Sequence, residues 1–225
     1  MSKQPNLEPE PAEVVREYGP YPGVTHVHGV TYDGSSVWVA SGAAMHAISP
    51  STGALLRTIA VPGMTGAGSA FDGRYLYQLA DRVIQKLDRD SGQVVARIPA
   101  PCENVSGMAW AEGFLWIGQY REQKIHQVDP DTGQIVRSLE SDRFVTGVTW
   151  VDGELWHGAP GETQSELRTE LRQVDPETGA VQRRLSLIDG LVVSGLESDG
   201  DEMLYCGGGA SGKLRSVRRR SRQRS

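Results

Sequence analysis

Apolar runs of about four to seven residues recur along the chain, rich in Val, Ile, Leu, Trp and Tyr and separated by short polar turns. Such runs are too short for typical helices, and their β-branched and aromatic content suits half-buried strands. Asp-Gly, Glu-Gly, Thr-Gly and Ser-Gly pairs between the runs supply the positive φ that tight antiparallel hairpins need. Proline follows Ser49, Asp129 and Asp175 at the start of such turns, where a fixed φ helps and a missing N–H does no harm.

The runs repeat as a set. "GVTYDGSSVWVASG" from Gly29 aligns with "GSAFDGRYLYQLAD" from Gly68, "GMAWAEGFLWIGQY" from Gly107, "GVTWVDGELWHGAP" from Gly147 and "GLESDGDEMLYCGGG" from Gly195. The steps between these glycines are 39, 39, 40 and 48 residues. A third run, such as "KIHQVDPDTG", and a fourth, such as "QIVRSLES", follow in each of the first four units. Four short antiparallel strands at roughly 40-residue spacing predict an all-β fold, a single five-bladed β-propeller.

The fifth unit supplies "GLES", "EMLYCGG" and "KLRSVR" but no fourth run, whereas "AEVVREYGPYP" near the start of the chain fits the fourth-strand pattern. An N-terminal strand is therefore expected to complete the last blade and close the ring without an exposed seam. The expected organisation is a disordered tail over 1–11, the propeller over 12–217 and a basic disordered tail over 218–225.

The "LW" second strands and the hairpins "VDPDTGQIV" and "VDPETGAVQ" resemble the repeats of glutamine-cyclotransferase-like, PQQ-type and YncE-type (YVTN) β-propellers. The resemblance spans residues 12–217 and lies in turn and core positions, so it implies fold before reaction. Membership of the cyclotransferase group would imply cyclisation of N-terminal glutamine to pyroglutamate. "HVHGV" stands here where that group shows an "FTQG(L)"-like segment.

In a four-stranded meander, the loops joining strands two and three share a face with the blade-to-blade connections. That face varies here, with "PGVTHVHG", "PAPCENVSG", "ESDRFVTG", "GQYREQ" and "CGGGASG", whereas the hairpins of the opposite face are uniform. Variable loops on a rigid scaffold are where binding groups concentrate. The candidate acid-base groups are His28, Glu103 and Glu197, and the candidate substrate contacts are His26, Asn104, Tyr120, Arg121, Arg143 and His157. Histidine and carboxylate side chains can move protons, and Arg can fork onto a carboxylate. The alternatives are a turn role for Glu103 and Asn104, and an ion pair of Glu197 with Arg121 or Arg143. The insertion over 158–170 is either a flap over the channel or a surface decoration.

Composition narrows the functional classes. No apolar run approaches the length of a membrane-spanning helix, and "MSKQPNLEPEPAE" lacks the apolar core of a secretory signal. With only Cys102 and Cys206, a disulfide framework is not expected, and a cytoplasmic location is. A net charge of −5 gives nucleic acid no general reason to bind, leaving the Arg-rich tail as the one segment suited to an acidic partner. His26 or His28 with Glu103, Glu197, His157 and Cys206 offers ligand types that zinc accepts, but no CxxC or HExxH spacing assembles them, so no metal site is assigned. No cofactor is identified, PQQ included, and oligomeric state is left open. Two readings result: an enzyme acting on a small molecule at the channel mouth, of cyclotransferase, lyase or hydrolase type, or a non-catalytic ligand- or protein-binding propeller.

Overall fold

The computed structural model describes residues 7–161, 168–188 and 190–219. Five antiparallel sheets are arranged as a propeller. Blade one holds β3 (Gly29–Tyr32), β4 (Val37–Ser41), β5 (Ala44–Ile48) and β6 (Leu55–Ala60). Blade two holds β7 (Thr65–Phe71), β8 (Tyr75–Ala80), β9 (Val83–Asp88) and β10 (Val94–Pro99). Blade three holds β11 (Val105–Ala111), β12 (Phe114–Gln119), β13 (Lys124–Val128) and β14 (Ile135–Glu140). Blade four holds β15 (Val148–Val151), β16 (Glu154–Ala159), β17 (Glu170–Val174) and β18 (Val181–Ser186).

Blade five is built from both ends of the chain. Its inner strands are β19 (Gly195–Ser198), β20 (Met203–Gly207) and β21 (Leu214–Arg218), and β2 (Val14–Tyr18) pairs antiparallel with β21 as the outermost strand. The expected closure is therefore present. The domain limits need correction by two residues at each end. Glu10 and Pro11, assigned from sequence to the tail, form β1 and pair in parallel with Leu185 and Ser186 at the outer edge of blade four. Arg218 belongs to β21, and Arg219 is buried, with its guanidinium on Asp152 at 2.5 Å and Glu154 at 2.9 Å. The rest of the basic tail, 220–225, lies outside the described residues, as do 162–167 of the insertion.

Burial falls from the axis outward: β4 and β17 are buried throughout, whereas β6, β10 and β14 are largely exposed. The recurring second-strand aromatics pack between blades, as their periodicity predicts. Tyr77 stacks on Trp110 at 5.6 Å, Trp116 on Trp150 at 5.2 Å, and Tyr205 meets Tyr32 at 5.8 Å, closing the series across the seam. Carboxylates of the first hairpins cap several of these rings: Trp38 Nε1 donates to Asp33 at 2.8 Å, Tyr77 Oη to Asp72 at 3.0 Å and Trp156 Nε1 to Glu154 at 2.9 Å.

The five leading glycines set the width of the channel. A Cβ on Gly68 would lie 2.2 Å from Met108 N, one on Gly107 2.2 Å from Val148 N, and one on Gly147 2.5 Å from Leu196 N. Gly195 would meet Val30 N at 2.4 Å, and Gly29 would meet Ser69 N at 2.8 Å. Each inner strand thus rests its backbone on the next around a full circle, a contact that only glycine permits.

Candidate functional site

The loops of the variable face converge on a cavity of about 510 Å³ at the channel mouth. Its wall is built mainly from the residues just before the leading glycines. His28 comes from blade one, Ala67 from two, Ser106 from three, Thr146 from four and Ser194 from five. Loops between strands two and three add Tyr120, Arg121, Pro160 and Thr169. The volume lies within the roughly 300–1,000 Å³ of ordinary ligand pockets.

His28 is half-buried, and its backbone N–H donates to Ala40 O at 2.9 Å, which fixes the start of β3. Burial, then the neighbouring His26, holds its pKa below the ordinary imidazole value, so the ring is neutral at pH 7. His26 is exposed and stacks on it at 6.0 Å, so the two rings share one side as their spacing predicts, but His26 stays outside the cavity wall.

Asn104 sits in the left-handed region at φ 57°, a conformation asparagine tolerates better than most side chains. Its carbonyl accepts from Tyr120 N at 2.9 Å, and its carboxamide donates to Glu122 at 3.3 Å. Tyr120 stacks on Phe144 at 4.8 Å, which holds the phenol against the wall beside exposed Arg121. Among the described residues, Arg121 is the only lysine or arginine in the wall, and no Asp or Glu lines it.

Two hydroxyls of the wall stand out chemically. Ser106 Oγ and Thr146 Oγ1 are buried without a hydrogen-bond partner, turned toward Gly118 and Gly158 of the second strands. A Cβ at those glycines would lie 2.6 and 2.3 Å from the hydroxyl oxygens, so the glycines make the room these groups occupy. Both residues line the cavity, and an unpartnered buried hydroxyl is one that a ligand could satisfy.

The remaining candidates lie elsewhere. Glu197, read from sequence as a mouth residue, is half-buried on β19, below the cavity wall, and its hydrogen bonds go to Thr149, Thr31, Ser198 and Tyr32 and not to Arg121 or Arg143. Its carboxylate accepts from Thr149 Oγ1 at 2.5 Å, Thr31 Oγ1 at 2.9 Å and the backbone N–H of Ser198 at 2.9 Å, and also from the N–H of Tyr32. Desolvation outweighs these bonds and raises its pKa to about 7. The reason for the misplacement is register: Glu197 stands two residues after its leading glycine, level with Thr31, Ala70, Ala109 and Thr149, whereas the mouth is lined by residues before the glycine.

Glu103 is exposed and pairs with Arg82 at 2.6 Å, outside the cavity. His157 is buried within blade four, with Nδ1 against Gly158 O at 3.0 Å and its pKa lowered to about 4 by burial. It therefore cannot contact a ligand in the mouth. Arg143 is half-buried beside Phe144 in the connection between blades three and four and is absent from the cavity wall. Among the described residues, no three His, Cys, Asp or Glu side chains gather as a metal site would require.

Sequence reasoning missed Ser106, Thr146 and Ser194. Their position, one before each leading glycine and shared with His28, was the signal that could have found them.

No family model and no curated protein matches the chain. Among solved structures, glutaminyl cyclase from Myxococcus xanthus aligns with a TM-score of 0.75 and 16% identity, over 94% of this chain and 98% of that one. The WD40 repeats of RRP9 align at 0.59 and 9% identity, over 92% of this chain and 99% of that one. Hydrazine synthase from Kuenenia stuttgartiensis aligns at 0.52 and 18% identity, over 84% of this chain and 57% of that one. Likeness at these identities establishes the propeller fold that this chain shares with a bacterial glutaminyl cyclase.

Proposed function

We propose that the channel mouth binds the N-terminal glutaminyl residue of a peptide and promotes its cyclisation, with His28 as the proton carrier. The observation that carries this reading is the mouth itself: a neutral imidazole and two unpartnered hydroxyls gathered from three blades around one cavity. The structural likeness to a glutaminyl cyclase supports it as an analogy of fold.

In the proposed reaction the α-amine nitrogen attacks the γ-carboxamide carbon and a five-membered lactam forms. The C–N bond to the leaving amide nitrogen then breaks. The imidazole of His28 takes the proton released by the attacking amine and returns it to the departing nitrogen, which leaves as ammonia. Atoms and charge balance with no co-reactant. Ser106 and Thr146 are suited to hold the carboxamide, and positioning one end of a molecule against the other is worth much of such a barrier.

The test is ammonia release from Gln-Leu-Ala-amide by wild type and His28→Ala. Wild-type turnover that falls about 100-fold or more in the variant, with melting unchanged, is the expected result. Absence of turnover in the wild type, or equal turnover in both, would overturn the reading. A non-catalytic ligand site is the second reading. It is favoured by the lack of any carboxylate in the described wall to pair with His28, and it predicts peptide binding without ammonia.

A further inference from the structure

A second cavity, of about 300 Å³, opens beside the mouth over the junction of blades two and three. It shares Gly66, Asn104 and Val105 with the mouth, so the two adjoin along one wall. Gly66 stands at the junction, and a Cβ there would meet nothing within 4 Å. That wall is therefore low where another residue would place a side chain.

The two ends of this side cavity differ in chemistry. Leu79, Ala100 and Val105 form its floor and belong to the packed core between the blades. Met64, 60% exposed, and half-buried Cys102 add apolar flanks. Asp81 and the Arg82–Glu103 ion pair lie at the polar rim.

We propose that this side cavity is the subsite for the second residue of the peptide and that it selects an apolar side chain there. The inference rests on the cyclisation reading above. A chain whose first residue fills the mouth must leave past one of its walls, and the shared Gly66–Asn104–Val105 wall leads to a bounded apolar space. The rigid floor gives that space a fixed shape, and its apolar side chains disfavour an acidic or basic group placed deep against them, where the charge would lose its water.

Cys102 makes the subsite addressable. Cys206 is fully buried in blade five, so a maleimide added to the folded protein reacts at Cys102, slowly because burial raises that thiol's pKa to about 11. The experiment compares kcat/KM for glutaminamide, Gln-Leu-Ala-amide and Gln-Asp-Ala-amide before and after capping with N-ethylmaleimide. The unmodified protein is expected to prefer the leucyl over the aspartyl peptide by about tenfold. Capping should lower kcat/KM for the leucyl peptide by about tenfold and leave glutaminamide turnover unchanged. Met64→Asp, at an exposed position, should narrow the preference between the peptides without relying on the cap. Equal loss for glutaminamide and the leucyl peptide, or no preference between the peptides, would overturn the subsite while leaving cyclisation intact. Lack of turnover with all three substrates would instead overturn the cyclisation reading and this inference with it.

Discussion

Thr149 of blade four donates a 2.5 Å hydrogen bond to Glu197 of blade five, and Thr31 of blade one bonds the other carboxylate oxygen at 2.9 Å. One half-buried side chain thereby joins blades four, five and one. The carboxylate also accepts two backbone N–H groups, from Ser198 and Tyr32. A proton on Glu197 is tolerable because a threonine hydroxyl can rotate to accept it, whereas a backbone N–H cannot.

This arrangement sets a pH dependence. The folded pKa, about 7, lies above the ordinary value of 4.5, so the native state binds more protons than the unfolded chain between those values. Glu197's contribution is complete below about pH 4.5 and is lost as pH rises through 7. In Glu197→Gln an amide N–H₂ replaces an oxygen that only accepts hydrogen bonds, which is expected to cost about 1–3 kcal/mol at pH 5. The stability gap between wild type and variant, measured by urea unfolding, should shrink as pH rises from 5 through about 7 and change no further once the folded carboxyl is ionised. A constant gap would show that this carboxyl does not titrate with folding.

The circle of glycines predicts two distinct penalties. Gly107→Ala places a Cβ 2.2 Å from Val148 N, a backbone atom that cannot yield without moving a neighbouring blade. Gly113, at φ 83° with open space around it, carries only the conformational cost of a left-handed alanine, about 1–2 kcal/mol. Gly107→Ala should lose about 3 kcal/mol or more in urea unfolding, clearly exceeding Gly113→Ala. Equal losses would mean that the inner strands have slack.

Closure by β2 predicts that removing residues 1–18 lowers the melting temperature by more than about 10 °C, since it strips the outer strand from blade five and exposes β21. Calorimetry that shows an unchanged melt would overturn the assignment of β2 as a structural strand.

Arg219 provides a local test at the other terminus. Its side chain is 2% exposed and bridges Asp152 and Glu154, while its Nε donates to Asp201 O at 3.0 Å. Both partners keep some solvent, which weakens the pairs, so Arg219→Ala should cost about 1–3 kcal/mol in urea unfolding. Arg219→Lys should recover only part of this, because a single ammonium cannot fork onto two carboxylates. Full recovery by lysine would reduce the role to charge alone.

The fold was legible because its determinants repeat. Glycine spacing, hairpin dipeptides and second-strand aromatics each recur in phase, and the missing fourth run pointed directly to Val14–Tyr18. The site was less legible because its residues are defined by where they stand in the repeat and not by what they are. His28 and Asn104 line the mouth as expected, but Glu197 is two places too deep and Glu103 faces solvent. A carboxylate's letter in the sequence carries no sign of whether it will be hydrated or enclosed. Ser106 and Thr146 drew no attention as residue types, and only their alignment with His28 marks them. β1 was invisible for another reason: Glu10 and Pro11 make a two-residue bridge, too short for any periodicity.

Because the blades touch through glycine backbone, the residues just before those glycines can present their side chains at the mouth. His28, Ala67, Ser106, Thr146 and Ser194 can be read as a five-letter word spelled one letter per blade. Under the proposed function, changing a letter should alter what the mouth accepts, with Ala67, which also packs in the core, the least free of the five. If the mouth binds as proposed, single exchanges at His28, Ser106, Thr146 and Ser194 should shift ligand preference while the glycine contacts keep the ring closed, so that specificity could be rewritten one blade at a time.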